Sequence, residues 1–161
     1  MIIDNDEASQ NFEKVHIQEN VARLLNIPSR NITVKMFRDK ATGVQAGKRR
    51  YGEIVGIKAQ TMNGKVHQAT INSLVSLQAK ITAEKSKIAR VFYAIKDLAE
   101  KKPYVVGVRS VQTKDFLTAS VSEIPWTTLN TVAEKIIEEC PNVSTVYYDV
   151  TPKPPATIEM E

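Results

Sequence analysis

Ile54-Val55-Gly56-Ile57-Lys58 and Val105-Val106-Gly107-Val108-Arg109 are two versions of one pattern, set 51 residues apart. In each, β-branched residues flank a glycine and a base closes the run. A second matched pair follows, Ala89-Arg90-Val91-Phe92-Tyr93-Ala94-Ile95 and Ser144-Thr145-Val146-Tyr147-Tyr148-Asp149-Val150, at an offset of 55. The extra four residues fit a longer connector, Cys140-Pro141-Asn142-Val143, in the second copy. Between the paired strands the apolar period lengthens. Ser73 to Lys87 puts Leu74, Leu77 and Ile81 on one helical face, with Ile88 in line, and Trp126 to Glu139 does the same with Trp126, Leu129, Val132 and Ile136. Pro125 suits the start of the second helix. Asn63-Gly64 is a hairpin signal, since both residues tolerate a positive φ. Each copy thus reads strand, hairpin, strand, helix, strand. Two tandem β-β-α-β units predict an α+β fold, a mostly antiparallel sheet covered by helices.

Outward from the repeat, Phe12 to Leu25 spaces Val15, Ile17, Val21, Leu24 and Leu25 as a helix, which Asn26-Ile27-Pro28-Ser29 ends. Ile32, Val34 and Met36 then alternate with Thr33 and Lys35 as a half-buried strand. Gly43 to Gly52 reads as a basic loop, and the polar, acidic first dozen residues as a frayed lead or an N-terminal cap. The expected division is 1–53 (helix, strand and basic loop), 54–103 (first repeat) and 104–161 (second repeat with its tail).

The 161 residues are 42% hydrophobic and 25% charged, which suits one domain, or two small units on one core, and excludes wholesale disorder. No apolar run approaches the ~18 residues of a membrane span, and the acidic turn at Asp4 does not suit a signal peptide. The expected compartment is the cytoplasm. One cysteine, Cys140, excludes an internal disulfide, and with His16 and His67 it makes no zinc cluster.

Net charge is +4, but Arg30 to Lys58 holds eight bases (Arg30, Lys35, Arg38, Lys40, Lys48, Arg49, Arg50, Lys58) against Asp39 and Glu53, a local +6. Such a stretch suits an anion: phosphate, nucleic acid or an acidic protein surface. Gly43-Val44-Gln45-Ala46-Gly47-Lys48-Arg49 is no P-loop. Three residues separate its glycines where four are needed, and Arg49 stands where a hydroxyl should follow the lysine. RNP1 and GXXG patterns are absent, and one member of each pair Phe92/Tyr93 and Tyr147/Tyr148 belongs to the core. His16 and His67 have no nucleophile in a motif beside them, so no catalytic set is assigned.

The tail is the chemically distinctive segment. Thr151-Pro152-Lys153-Pro154-Pro155-Ala156-Thr157-Ile158-Glu159-Met160-Glu161 carries three of the seven prolines. Taken alone, a proline-rich terminus reads as a frayed tail, yet prolines also lower the entropy lost on ordering, and an ordered clasp is the expectation adopted. Lys153 can meet an anion, Thr157 can offer a hydroxyl, and Glu159 can accept hydrogen bonds.

With Tyr148-Asp149 before it, this tail resembles the C-terminal signature of GMP synthases (glutamine-hydrolysing), Tyr-Asp-x-x-x-Lys-Pro-Pro-x-Thr-(Ile/Thr)-Glu-Trp-Glu. Asp115-Phe116-Leu117-Thr118 is similar to the family's Asp-Phe-Met-Thr, and Gly43 to Tyr51 to its Gly-Val-x-Gly-Asp-x-Arg-x-Tyr. Ala46-Gly47 replaces Gly-Asp, and Met160 the penultimate tryptophan. The resemblance implies a dimerisation domain, in duplicated form, that completes a site for xanthosine monophosphate (XMP). By carry-over Lys153 would contact the XMP phosphate, Thr157, Ile158 and Glu159 would secure the nucleotide, and Arg49 would reach a phosphate across a homodimer. Asn31 aligns with a nucleotide-side glutamine. The Ser-Gly-Gly-Val-Asp-Ser segment of the ATP pyrophosphatase and the amidotransferase cysteine segment are absent from these 161 residues. The resemblance therefore implies ATP and magnesium on a partner ATP pyrophosphatase domain or subunit, a glutamine amidotransferase partner, and no cofactor on this chain. Two rivals stand beside it: a nucleic-acid-binding module built on Arg30–Lys58, and a pure assembly domain with a decayed nucleotide site.

Overall fold

The computed structural model describes residues 1–8 and 13–160. Its elements run β1 (Ile2–Asp4), α1 (Glu13–Leu25), β2 (Ile32–Gln45), β3 (Lys48–Ala59), α2 (Ile71–Glu84), β4 (Ile88–Asp97), β5 (Tyr104–Val108), β6 (Val111–Gln112), β7 (Ser120–Val121), α3 (Trp126–Glu139) and β8 (Val143–Asp149). Six strands form one sheet in the order β1-β5-β8-β4-β3-β2, and β6-β7 is a separate small ribbon. Three of the five ladders in the main sheet are antiparallel; β3·β4 and β5·β8 are parallel. A parallel pair needs a crossover, and α2 and α3 supply one each. The two β-α-β units meet along the antiparallel β4·β8 ladder. Gly56 lies opposite Phe92 and Gly107 opposite Tyr147.

Period-two alternation gives the sheet two buried faces. Val55, Ile57, Val91, Tyr93, Val146 and Tyr148 pack with Leu74, Leu77 and Ile81 of α2 and Leu129 and Ala133 of α3. Ile54, Phe92, Ala94, Val105 and Tyr147 line the other face, where Ile3, Phe37 and Ala41 join them. All four aromatics of the Phe92/Tyr93 and Tyr147/Tyr148 pairs are buried, one of each pair on each face. Phe37 belongs to β2, whose pairing with β3 shifts between Met36 and Lys40. Its ring meets Tyr147 of β8 edge-on at 5.7 Å, although β3 and β4 lie between in the sheet order, so the sheet curls. Gly56 makes the curl possible. A Cβ there would sit 2.7 Å from the Phe37 ring.

Several boundaries differ from the sequence reading. Gly43–Gly52 is no loop: β2 and β3 run through it as one hairpin, turned by Ala46 (φ 50°) and Gly47 (φ 75°). Two consecutive positive φ values define the turn whose twist matches the strands it joins. The lead is not wholly frayed, because Ile2–Asp4 pairs with Tyr104–Val106 as an edge strand. At Asn63-Gly64 only Gly64 takes a positive φ (74°), and Thr61 N–H bonds Lys65 C=O at 2.7 Å, a three-residue turn closed by a single bridge, Gln60–Val66. The two hairpins expected from the sequence are therefore vestigial, the second being β6 and β7 with two residues each. His67 lies just beyond that bridge, outside any named strand. Helix α2 starts at Ile71, capped by the Thr70 hydroxyl, and ends at Glu84. Phe12, the expected start of the first helix, lies outside the described residues. Among those residues no helix is long and apolar enough to cross a membrane.

Candidate functional site

Two arginines stand within apolar strands, Arg90 in β4 and Arg109 just past β5, and neither side chain is more than 4% exposed. Buried guanidinium groups need partners. Asp149, fully buried at the end of β8, meets Arg90 at 3.0 Å and Arg109 at 3.1 Å. One carboxylate facing two guanidinium groups leaves their other N–H groups to find acceptors, and the tail supplies most of these, although Arg90 Nε–H is left without one. Arg109 donates to Thr151 C=O (2.6 Å), Thr157 C=O (2.7 Å) and Ile158 C=O (3.0 Å). Arg90 donates to the Thr157 hydroxyl (2.7 Å), Glu159 C=O and, on β2, Thr42 C=O (3.1 Å). Burial pulls the Arg90 pKa down and Asp149 opposes it. The tail is held by charge from beneath.

It is also held from both sides. Lys153 bridges to Ala119, with N–H···O=C distances of 2.9 and 3.1 Å, and Ala156 bridges to Gly43, where Val44 N–H reaches Pro155 C=O at 2.6 Å. Gly43 permits this approach; a Cβ there would lie 2.9 Å from the Pro155 oxygen. The peptides before Pro154 and Pro155 are both cis. The terminal segment through Met160 is an ordered clasp.

Its outward chemistry is concentrated. The Lys153 ammonium donates to Phe116 C=O in the loop between β6 and β7. That loop is tied by Asp115, which accepts from the N–H groups of Leu117 and Thr118, both at 3.0 Å. The Thr118 bond is the main cause that holds its carboxyl below the usual range. Gln112, Lys114, Asp115, Thr118, Ser120 and Pro152 border an open cleft of about 680 Å³ beside Lys153. Glu159 and Arg49 are exposed and face each other at 3.9 Å across the tail and hairpin.

Of the residues nominated from sequence, Lys153, Thr157, Ile158, Glu159 and Arg49 gather at this end. The Thr157 hydroxyl is turned inward, accepting from Arg90 and donating to Glu159 C=O at 2.8 Å. Asn31 is not part of the group. It precedes β2 at the end opposite the hairpin, roughly 35 Å of strand from Thr42, and its amide faces Met62. The sequence reading missed Arg90 and Arg109. The available signal was a charge inside each apolar strand run, which burial forbids without a partner.

Residues 98–160 match the family model described as GMP synthase C terminal domain. Relatives named as a subunit of glutamine-hydrolyzing GMP synthase include that of Sulfurisphaera tokodaii, 37% identical over 80% of this chain and 31% of the relative. That of Saccharolobus solfataricus is 34% identical over 89% and 35%. That of Methanopyrus kandleri is 31% identical over 99% and 51%. The chain thus spans about a third to a half of the length of the curated relatives it matches. The matched stretch contains Arg109, Asp149 and the whole described tail, so the likeness to the GMP synthase C terminal domain takes in the anchored tail and most of its anchor.

Proposed function

We propose that this chain supplies the XMP-binding and dimerising part of a GMP synthase, with ATP pyrophosphatase and glutamine amidotransferase chemistry on partner domains or subunits that also carry ATP and magnesium. The clasped tail carries this reading. A segment that ends in Lys153 and Glu159 would ordinarily fray. Here two buried arginines fix its carbonyls, so the Lys153 ammonium, held on Phe116 C=O, and the exposed Glu159 carboxylate stand in set positions. Lys153 then neutralises the nucleotide phosphate and Glu159 accepts from the base or sugar. Thr157 and Ile158 hold the main chain, and Arg49 adds a second cation, from its own tail or from the other protomer's. Arg49 pairing with Glu159 within one chain is a resting contact that a phosphate would replace. The matching registers, Gly56 with Phe92 and Gly107 with Tyr147, support duplication as the origin of the fold.

The test is calorimetric titration of XMP into the chain assembled with an ATP pyrophosphatase partner, beside Lys153→Gln. Saturable binding that weakens about tenfold in the variant, with melting unchanged, supports the reading. An assembled pair indifferent to XMP overturns it and leaves an assembly domain. Sedimentation of the chain alone checks dimerisation.

A further inference from the structure

The second repeat's site has a counterpart in the first. Asp97-Leu98-Ala99-Glu100-Lys101-Lys102-Pro103 parallels Asp149-Val150-Thr151-Pro152-Lys153-Pro154-Pro155 at an offset of 52, an Asp-x-x-x-Lys-x-Pro frame in both. The offset falls from 55 because β4 runs three residues further before its aspartate. The contacts correspond as well. Lys58, the repeat equivalent of Arg109, meets Asp97 at 3.0 Å, as Arg109 meets Asp149 at 3.1 Å. Thr145, the equivalent of Arg90, donates to the other Asp97 oxygen at 2.6 Å.

The two clusters differ in what occupies them. At Asp149 the terminal guanidinium nitrogens of both arginines donate to the tail, with Thr42 C=O of β2 as a further acceptor for Arg90. At Asp97 no such tail covers the cluster among the described residues, and cations outnumber acids. Lys35 reaches Asn5 C=O at 2.8 Å and also its side-chain oxygen, while Asn5 bonds Lys102 C=O (2.8 Å) and Pro103 C=O (2.7 Å). Asn5 therefore ties Lys35 to the segment carrying Lys101. Lys101 is exposed and has no ion-pair partner among the described residues. Asp6 and Glu7 also face Lys35, but they are engaged by Arg38 (3.6 Å) and Lys14. Burial, then Lys101 and Lys58, lower the Lys35 pKa against those acids, the mark of mutually repelling cations. With Lys14 and Arg38 included, five bases face Asp6, Glu7 and Asp97.

We propose that Lys35, Lys58 and Lys101 form a second anion site, in the first repeat, that takes the phosphate of a small phosphorylated ligand. It needs no tail because the ligand itself supplies the acceptors that carbonyls supply in the second repeat. The same chemistry fits free phosphate or a nucleotide monophosphate. Amide NMR of the full chain, titrated at constant ionic strength with inorganic phosphate and separately with AMP, tests it. Saturating shifts at Lys58, Asp97 and Lys101, weakened about tenfold in Lys101→Gln and unchanged in Lys153→Gln, support the site. Saturation by AMP at lower concentration than phosphate assigns a nucleotide; equal or weaker AMP binding assigns free phosphate. Linear shifts matched by chloride, or binding untouched by Lys101→Gln, overturn it. Lys101 is exposed, so its variant should fold, and the Lys153 control keeps this outcome separate from that of the XMP reading.

Discussion

Asp149 is the residue on which the candidate site turns. Replacing it by asparagine keeps the shape but leaves two buried guanidinium groups without an anion. Losing one partner from a buried charge set costs about 3–5 kcal/mol. Asp149→Asn should therefore lower urea-unfolding stability by about that amount, and proteolysis should release the tail first. Gly56 makes a second residue-scale test. Gly56→Ala would place a methyl 2.7 Å from the Phe37 ring, and overpacking of this kind costs about 1–3 kcal/mol. Phe37→Leu in the same chain should recover part of that loss in thermal melts, whereas a loss caused by backbone conformation would not be recovered.

At the scale of elements, the β2–β3 hairpin is the informative one. Its turn requires positive φ at both central positions, and Ala46 meets that requirement with a side chain poorly suited to it (φ 50°). Ala46→Asn restores the favoured Asn-Gly pair and should raise stability by about 0.5–1 kcal/mol in thermal denaturation. The same residue explains why the hairpin was hidden in the sequence. Ala-Gly is a weak turn signal, and Lys48-Arg49-Arg50 has no apolar alternation, so the segment reads as loop. The part carried by period was legible: α3 spans Trp126–Glu139 as its pattern predicts. Strand β1 was not, since three residues carry no period and its place beside β5 is set by contacts about 100 positions away. Likewise Lys153 and Glu159 stand out in the sequence as charged groups of the tail. Its anchoring was not legible, because Arg90 and Arg109 meet it only through the fold.

For the whole molecule, the strand order puts the junction of the two β-α-β units, β4 and β8, at the centre and the short β1 at an edge. All seven residues of β8 are buried, and its neighbours on both sides are long-range partners. Free energies of local opening rise from near zero at edges to the global value in such a centre. Native-state hydrogen exchange should therefore find β4 and β8 amides slowest and those of β1 fast. The tail decides whether the clasp belongs to that cooperative unit. Val44 and Lys153 donate the backbone bonds that join hairpin, tail and loop, Ala156 closes a turn within the tail by donating to Pro152 C=O, and Thr157 lies buried on Arg90. Their amides should exchange within about 1 kcal/mol of the β4 amides in the wild type and much faster in Asp149→Asn. Equal, rapid exchange of these amides in both proteins would show that the tail opens independently of the arginine pair.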